Sequence, residues 1–210
     1  MLLVMSDKYS FDVFINCPFD KDYNPLFEAI LFAIYLCGFR PRCAKEEDNG
    51  GSVRIEKINR IIRECRIGIH DISRTELDAL NQLPRFNMPF ELGLFLGAKE
   101  YGGKNQKSKI CVIFDKEEYR YQKFISDIAG QDIKSHNNDP KIIIKHIRNV
   151  LNASKIQENQ TIEGAHNIIS KYELYRIDKP EILNKLNLRP DELTYADETV
   201  IIEHWIKNQC

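Results

Sequence analysis

"FDVFIN", residues 11–16, runs straight into the turn-like "CPFD", residues 17–20. An apolar run rich in aromatic and β-branched residues, closed by a proline turn, reads as a buried strand. Working outward, "NPLFEAILFAIYLCG" (24–38) reads as a helix. Asn24 suits its N-cap, Pro25 its first position and Gly38 its stop. "FRPRCA" (39–44) is a short strand candidate, and "KEEDNGGS" (45–52) a polar, glycine-rich loop. In "VRIEKINRIIREC" (53–65) the side chains of Val53, Ile55, Ile58, Ile61, Ile62 and Cys65 fall largely on one face of an amphipathic helix.

The same alternation continues. "RIGIHDIS" (66–73) reads as the third strand and "KSKICVIFD" (107–115) as the fourth. Between them lie a long irregular connection, "RTELDALNQLPRFN" (74–87), and an apolar helix, "NMPFELGLFLGA" (87–98). "KEEYRYQKFISDIAG" (116–130) reads as another amphipathic helix, and "QDIKSHN" (131–137) as a short fifth strand. "DPKIIIKHIRNVLN" (139–152) opens with Asp139 as N-cap and Pro140 in the first turn. Strands alternating with helices imply a parallel sheet covered on both faces. The fold expected is therefore α/β: a flavodoxin-like, doubly wound parallel sheet of about five strands. Residues 1–153 form that domain. Residues 154–210 open with a polar, linker-like stretch and read as a small helical extension packed on the core. Its helices are expected in "AHNIISKYELY", "PEILNKLN" and "DETVIIEHWIKN", with Trp205 as the main anchor.

Composition narrows the function classes. The chain has 210 residues and a net charge of −1, with its cations spread along its length. No global basic field draws it to nucleic acid or to a membrane surface. No apolar run is long enough to span a bilayer, and the start has no basic leader before its short apolar stretch. The six cysteines contain no CxxC pair and read as reduced thiols, so a cytoplasmic location is expected.

Ligands of such sheets bind at the carboxyl ends of the strands. Those ends fall at Asn16, near Ala44, at Ser73 and at Asp115. Asn16, Cys17, Asp71, Ser73, Arg74, Asn87 and Glu91 should then share one rim. Each has an ordinary structural reading as well. With Met88 as N-cap, Glu91 would sit at the third helical position and serve the helix dipole. Asn87 is either a cap or a ribose contact, and Arg74 either a phosphate or ribose contact or a solvated cation. Asp71 binds substrate or backbone amides, and His70 reads as a core histidine. Cys17 reads as a packed thiol, because no histidine is placed to activate it. Phe19 and Asn16 are better placed to line a pocket. Gly93 and Gly97 suit close helix–sheet packing. "DNGG" looks more like a mobile lid than a phosphate loop, since it lacks the Lys-Ser/Thr ending.

"FDVFIN", "IEKINRIIRECRIGIHDIS" and the "FEL" helix together resemble a Toll/interleukin-receptor (TIR) domain over roughly residues 9 to 150. "FELGLFLGA" also resembles the corresponding helix of nucleoside 2-deoxyribosyltransferases, whose glutamate lies in an E-aliphatic-Gly context. The resemblance implies chemistry at a ribosyl C1′, with Glu91 as the catalytic carboxylate. Asn16, Phe19, Asp71, Ser73, Arg74 and Asn87 would bind substrate. It implies cleavage of the nicotinamide–ribose bond of NAD+, in a prokaryotic sensing or defence pathway, with self-association through TIR-like surfaces. NAD+ would be a substrate, with no cofactor and no metal. A nucleoside or nucleotide 2-deoxyribosyltransferase and a non-catalytic TIR-like interaction module are the alternatives. Breaking an N-glycosidic bond builds positive charge on the sugar, and a nearby carboxylate stabilises or traps it.

Overall fold

The structure is a computed structural model that describes residues 8–47, 49–77, 82–155 and 161–209. A short helical turn, α1 (Lys8–Phe11), leads into β1 (Asp12–Asn16). Then follow α2 (Asn24–Leu36), β2 (Arg40–Cys43), α3 (Arg54–Glu64), β3 (Ile67–Asp71), α4 (Asn87–Tyr101), α5 (Lys104–Lys107) and β4 (Ile110–Asp115). After β5 (Lys134–Ser135) come α6 (Pro140–Ala153), α7 (Ala165–Leu186) and α8 (Tyr195–Gln209). The sheet has the order β2-β1-β3-β4-β5, and every pairing is parallel. This is the flavodoxin-like order, and its direction reverses between β1 and β3. Among the described residues no helix is long and apolar enough to cross a membrane.

By packing the chain forms two compact units. One contains residues up to Tyr23 together with Arg40–Asn138, and so the whole sheet; the other contains Asn24–Phe39 and Asp139–Cys210. The grouping places α2 and α6 with the C-terminal helices.

In the sheet unit, Val13, Ile15, Ile67, Ile69 and Ile113 are buried. Phe11 is only half-buried because it closes α1 and stands outside the strand. Alternation along β1 and β3 sends Phe14, Asn16, Gly68 and His70 to one face, where Phe14 pairs with Gly68 and Asn16 with His70. That face meets α3 and α4: Phe14, Ile58, Ile61, Ile62 and Phe95 form one buried cluster. Gly68 is needed there, because a Cβ would come within 2.6 Å of both the Phe95 ring and His70 Nε2.

One expected helix is absent. Residues 116–130 form two short 3₁₀ turns, Arg120–Lys123 and Ser126–Ile128. Tyr119 takes a left-handed conformation (φ 59°). The turn aims Arg120 inward, where it donates to Asp115 Oδ1, to the carbonyls of Ile72 and Ser73, and to Thr75 Oγ1. These bonds hold the segment over the ends of β3 and β4, and a regular helix would carry Arg120 away from them.

In the helical unit, α2 buries Leu26, Phe27 and all of Ala29–Ile34, so it is apolar nearly all round. The Asp139 cap on α6 is present, accepting from Lys141 N at 2.8 Å. Two short helices expected after residue 164 are one: α7 runs through Pro180. Proline removes one backbone donor. Burial of Ile168, Tyr172 and Tyr175 before it, and of Leu183 after it, keeps the helix continuous. Phe32 of α2 lies 5.2 Å from Tyr175 and 5.6 Å from Trp205, ring centre to ring centre. Trp205 is buried and donates to Asp178 at 2.8 Å.

Candidate active site

Two side-chain networks meet at the point where the strand order reverses, one on each face of the sheet. On the α4 face, Asn16 Nδ2 donates to Met88 O at 2.8 Å and faces His70 Nδ1 at 3.1 Å. The His70 nitrogen is therefore the acceptor, and its proton sits on Nε2. Burial, helped by the charge of Lys109, pushes His70 down to about 3, so it stays neutral. Asn16 thus ties the end of β1 to the start of α4, three residues before Glu91.

On the other face Asp71 is fully buried. Tyr23 Oη donates to its Oδ2 at 2.5 Å and Ser73 N to its Oδ1 at 2.8 Å. His136 Nε2 lies 3.0 Å from the same Oδ2. Asn138 N donates to His136 Nδ1, so the imidazole carries its proton on Nε2, the nitrogen beside Asp71. Burial pushes the Asp71 carboxyl up, but the bonds from His136, Ser73 and Tyr23 outweigh it and hold it below its ordinary value. With its oxygens so engaged, Asp71 is a structural anchor at the end of β3.

Glu91 is different. It is the fifth residue of α4, which begins at Asn87 after a Phe86 N-cap that makes no side-chain bond. The expectation that Glu91 lies in the first turn, behind a Met88 cap, is therefore wrong, and no acidic residue occupies that turn. The helix starts earlier: Phe90 N already bonds to Phe86 O at 2.9 Å, and Asn16 donates to Met88 O within the first turn. Asn87 is exposed within the first turn and is not the cap.

Glu91 is 7% exposed. Arg54, at the start of α3, brings its guanidinium to 4.0 Å from Oε1. Burial pushes the Glu91 carboxyl up to about 7, and Arg54 opposes that only in part. The Glu91 charge is felt at the buried Cys17 thiol, as are those of Asp71 and Lys45. Burial, first among these influences, pushes the thiol well above its ordinary value, so Cys17 is no nucleophile. Lys45 lies over the half-buried ring of Phe19, 4.7 Å from its centre.

Of the residues expected at the rim, the structure brings Asn16, Asp71, Ser73 and Glu91 to the ends of β1 and β3 and the neighbouring start of α4. Ser73 is buried, its amide on Asp71 and its carbonyl taken by Arg120. Arg74 turns instead to Asp20 at 3.3 Å and Asp22 at 3.9 Å. Asp48 of the expected lid and residues 78–81 of the long connection lie outside the described residues. Tyr23, Arg54, Arg120 and His136 were not anticipated. For His136 a signal existed: it follows β5 at a carboxyl end, where the ligand-binding rim lies. No protein-family model, curated protein or solved structure matches this chain.

Proposed function

We propose that this protein cleaves an N-glycosidic bond at a ribosyl C1′, with Glu91 facing the sugar and NAD+ as the substrate that the TIR-like sequence pattern implies. One observation carries the reading: a carboxylate without a capping role, buried beside the reversal point of a flavodoxin-order sheet. Such a carboxylate is poorly solvated, so a cation beside it replaces water that is largely absent already. The nicotinamide of NAD+ is a cationic leaving group, and its departure leaves an oxocarbenium-like ribosyl centre. The same placement favours the ionised form of Glu91 once the cation docks. Asn16 and His70 act as positioning residues, fixing the start of α4 and hence Glu91. Self-association and a place in a prokaryotic defence or sensing pathway belong to the same reading.

Nicotinamide release from NAD+ tests it. Glu91→Gln keeps the size and removes the charge, and should lower turnover by roughly a hundred- to a thousandfold. In the unmodified protein kcat/KM should rise with pH through about 7 as Glu91 loses its proton. A Glu91→Gln variant with undiminished turnover removes Glu91 from the chemistry. Base exchange between deoxynucleosides, without NAD+ cleavage, would instead identify a deoxyribosyltransferase.

A further inference from the structure

We infer that Arg54 binds a phosphate of the substrate, so that the Glu91 site accepts nucleotides and rejects the corresponding nucleosides. This rests on the reading of Glu91 as the carboxylate at C1′, and it adds the substrate class. Arg54 opens α3, directly after the connection that leaves the carboxyl end of β2. Its side chain is 60% exposed, yet its guanidinium comes within 4.0 Å of the buried Glu91 carboxylate. At 4.0 Å it stands at the outer limit of an ion pair with Oε1 and makes no hydrogen bond to it. A guanidinium stabilising a structural carboxylate would engage it in two parallel bonds, as Arg42 does with Glu46 at 2.6 and 2.7 Å. The Arg54 side chain is instead largely exposed. A second cation, Lys45, follows β2, lies over Phe19 and is close enough for its charge to act on Cys17, which also feels Glu91.

The arrangement is polar in a definite sense: one buried carboxylate, with cations outside it. A bare nucleoside uses only the inner half. A nucleoside 5′-phosphate or a dinucleotide uses both, because the 5′-phosphate sits one ribose away from C1′. The planar fork of arginine suits two phosphate oxygens. Drawing Arg54 onto a phosphate would also leave Glu91 to interact with the sugar alone.

The test separates binding from chemistry by using ADP-ribose, which carries the phosphates but no scissile nicotinamide. Calorimetry compares the full chain with Arg54→Gln, with Arg54→Lys and with Arg63→Gln, an exposed cation on the same helix. ADP-ribose affinity should fall roughly ten- to a hundredfold in Arg54→Gln, the usual range for a lost charged hydrogen bond. It should recover in part in Arg54→Lys and be unchanged in Arg63→Gln. Nicotinamide release from nicotinamide riboside should be slow, and Arg54→Gln should lower it far less than it lowers release from NAD+, because only the Arg54 influence on Glu91 is lost there. Equal ADP-ribose affinity with and without Arg54 would overturn the inference. So would failure of the unmodified protein to bind ADP-ribose, or a matching loss on the riboside. Arg54-dependent ADP-ribose binding without nicotinamide release from any substrate would uphold the phosphate site and remove the proposed chemistry instead.

Discussion

Glu91 shows how one residue changes meaning between sequence and structure. As a first-turn residue it would stabilise α4 through the helix dipole, and its loss would cost about 0.3–1 kcal/mol. As the fifth residue, buried and raised to about 7, it opposes folding whenever it is charged. The direction follows from the protons. Between its ordinary value of 4.5 and about 7, the folded chain keeps a proton that the unfolded chain has lost. Stability therefore falls as pH rises across that window and levels off above it. Glu91→Gln is expected to melt higher than the unmodified protein above pH 7, by at most about 3 kcal/mol. Below pH 4.5 the two should converge. Thermal melts across the range check this, and a variant that melts lower at pH 8 would restore the capping role. The apolar flanks of "FELGLF" were legible in the sequence. The burial of Glu91 was not, because it is set by packing against residues far away in the chain.

At the scale of elements, the contact between β3 and α4 sets the site. Gly68 lets Phe95 approach the sheet and stack over Phe14, with ring centres 6.5 Å apart. His70 meets the Phe95 ring edge-on at 4.8 Å. Adding one methyl group at Gly68 must push α4 or His70 aside. Gly68→Ala should lose about 1–3 kcal/mol of stability, as overpacked cores do. It should also reduce turnover beyond what its melting point explains, since Glu91 rides on α4. Denaturant melts and nicotinamide release on one preparation measure both, and unchanged values would show that α4 is not held rigidly by this contact. The alternation of β1 and β3 was readable from periodicity, because it needs only neighbouring residues. The 3₁₀ turns at residues 120–128 were not, since the bonds of Arg120 to Ile72, Ser73 and Thr75 override a helical pattern.

At the scale of the whole molecule, the compact units are not contiguous in sequence. The helical unit takes α2 from early in the chain and joins it to α6, α7 and α8. Phe32 is 0% exposed because Tyr172, Tyr175 and Trp205 surround it. Glu28 is paired with Lys179 and accepts from Tyr172 Oη at 3.2 Å. A chain ending at residue 153 would bare Phe32 and leave Glu28 without both partners. It should aggregate or bind a hydrophobic dye, and centrifugation and dye fluorescence report this directly. A soluble, cooperatively melting 1–153 fragment would show that α2 and α6 suffice without α7 and α8.

The five strands, their order and most of the helices between them can be read from the chain alone, hence the parallel sheet. Strand runs, helix faces, the Asp139 cap and the proline and glycine stops are written within a few residues of one another, so local physics fixes them. Which distant groups meet is set by tertiary packing. It brought His136 beside Asp71, placed Arg54 4.0 Å from Glu91, carried α7 through Pro180 and grouped α2 with the C-terminal helices. The protonation of Glu91 belongs to the same class, because burial sets it, and burial is supplied by residues that the local sequence does not contain.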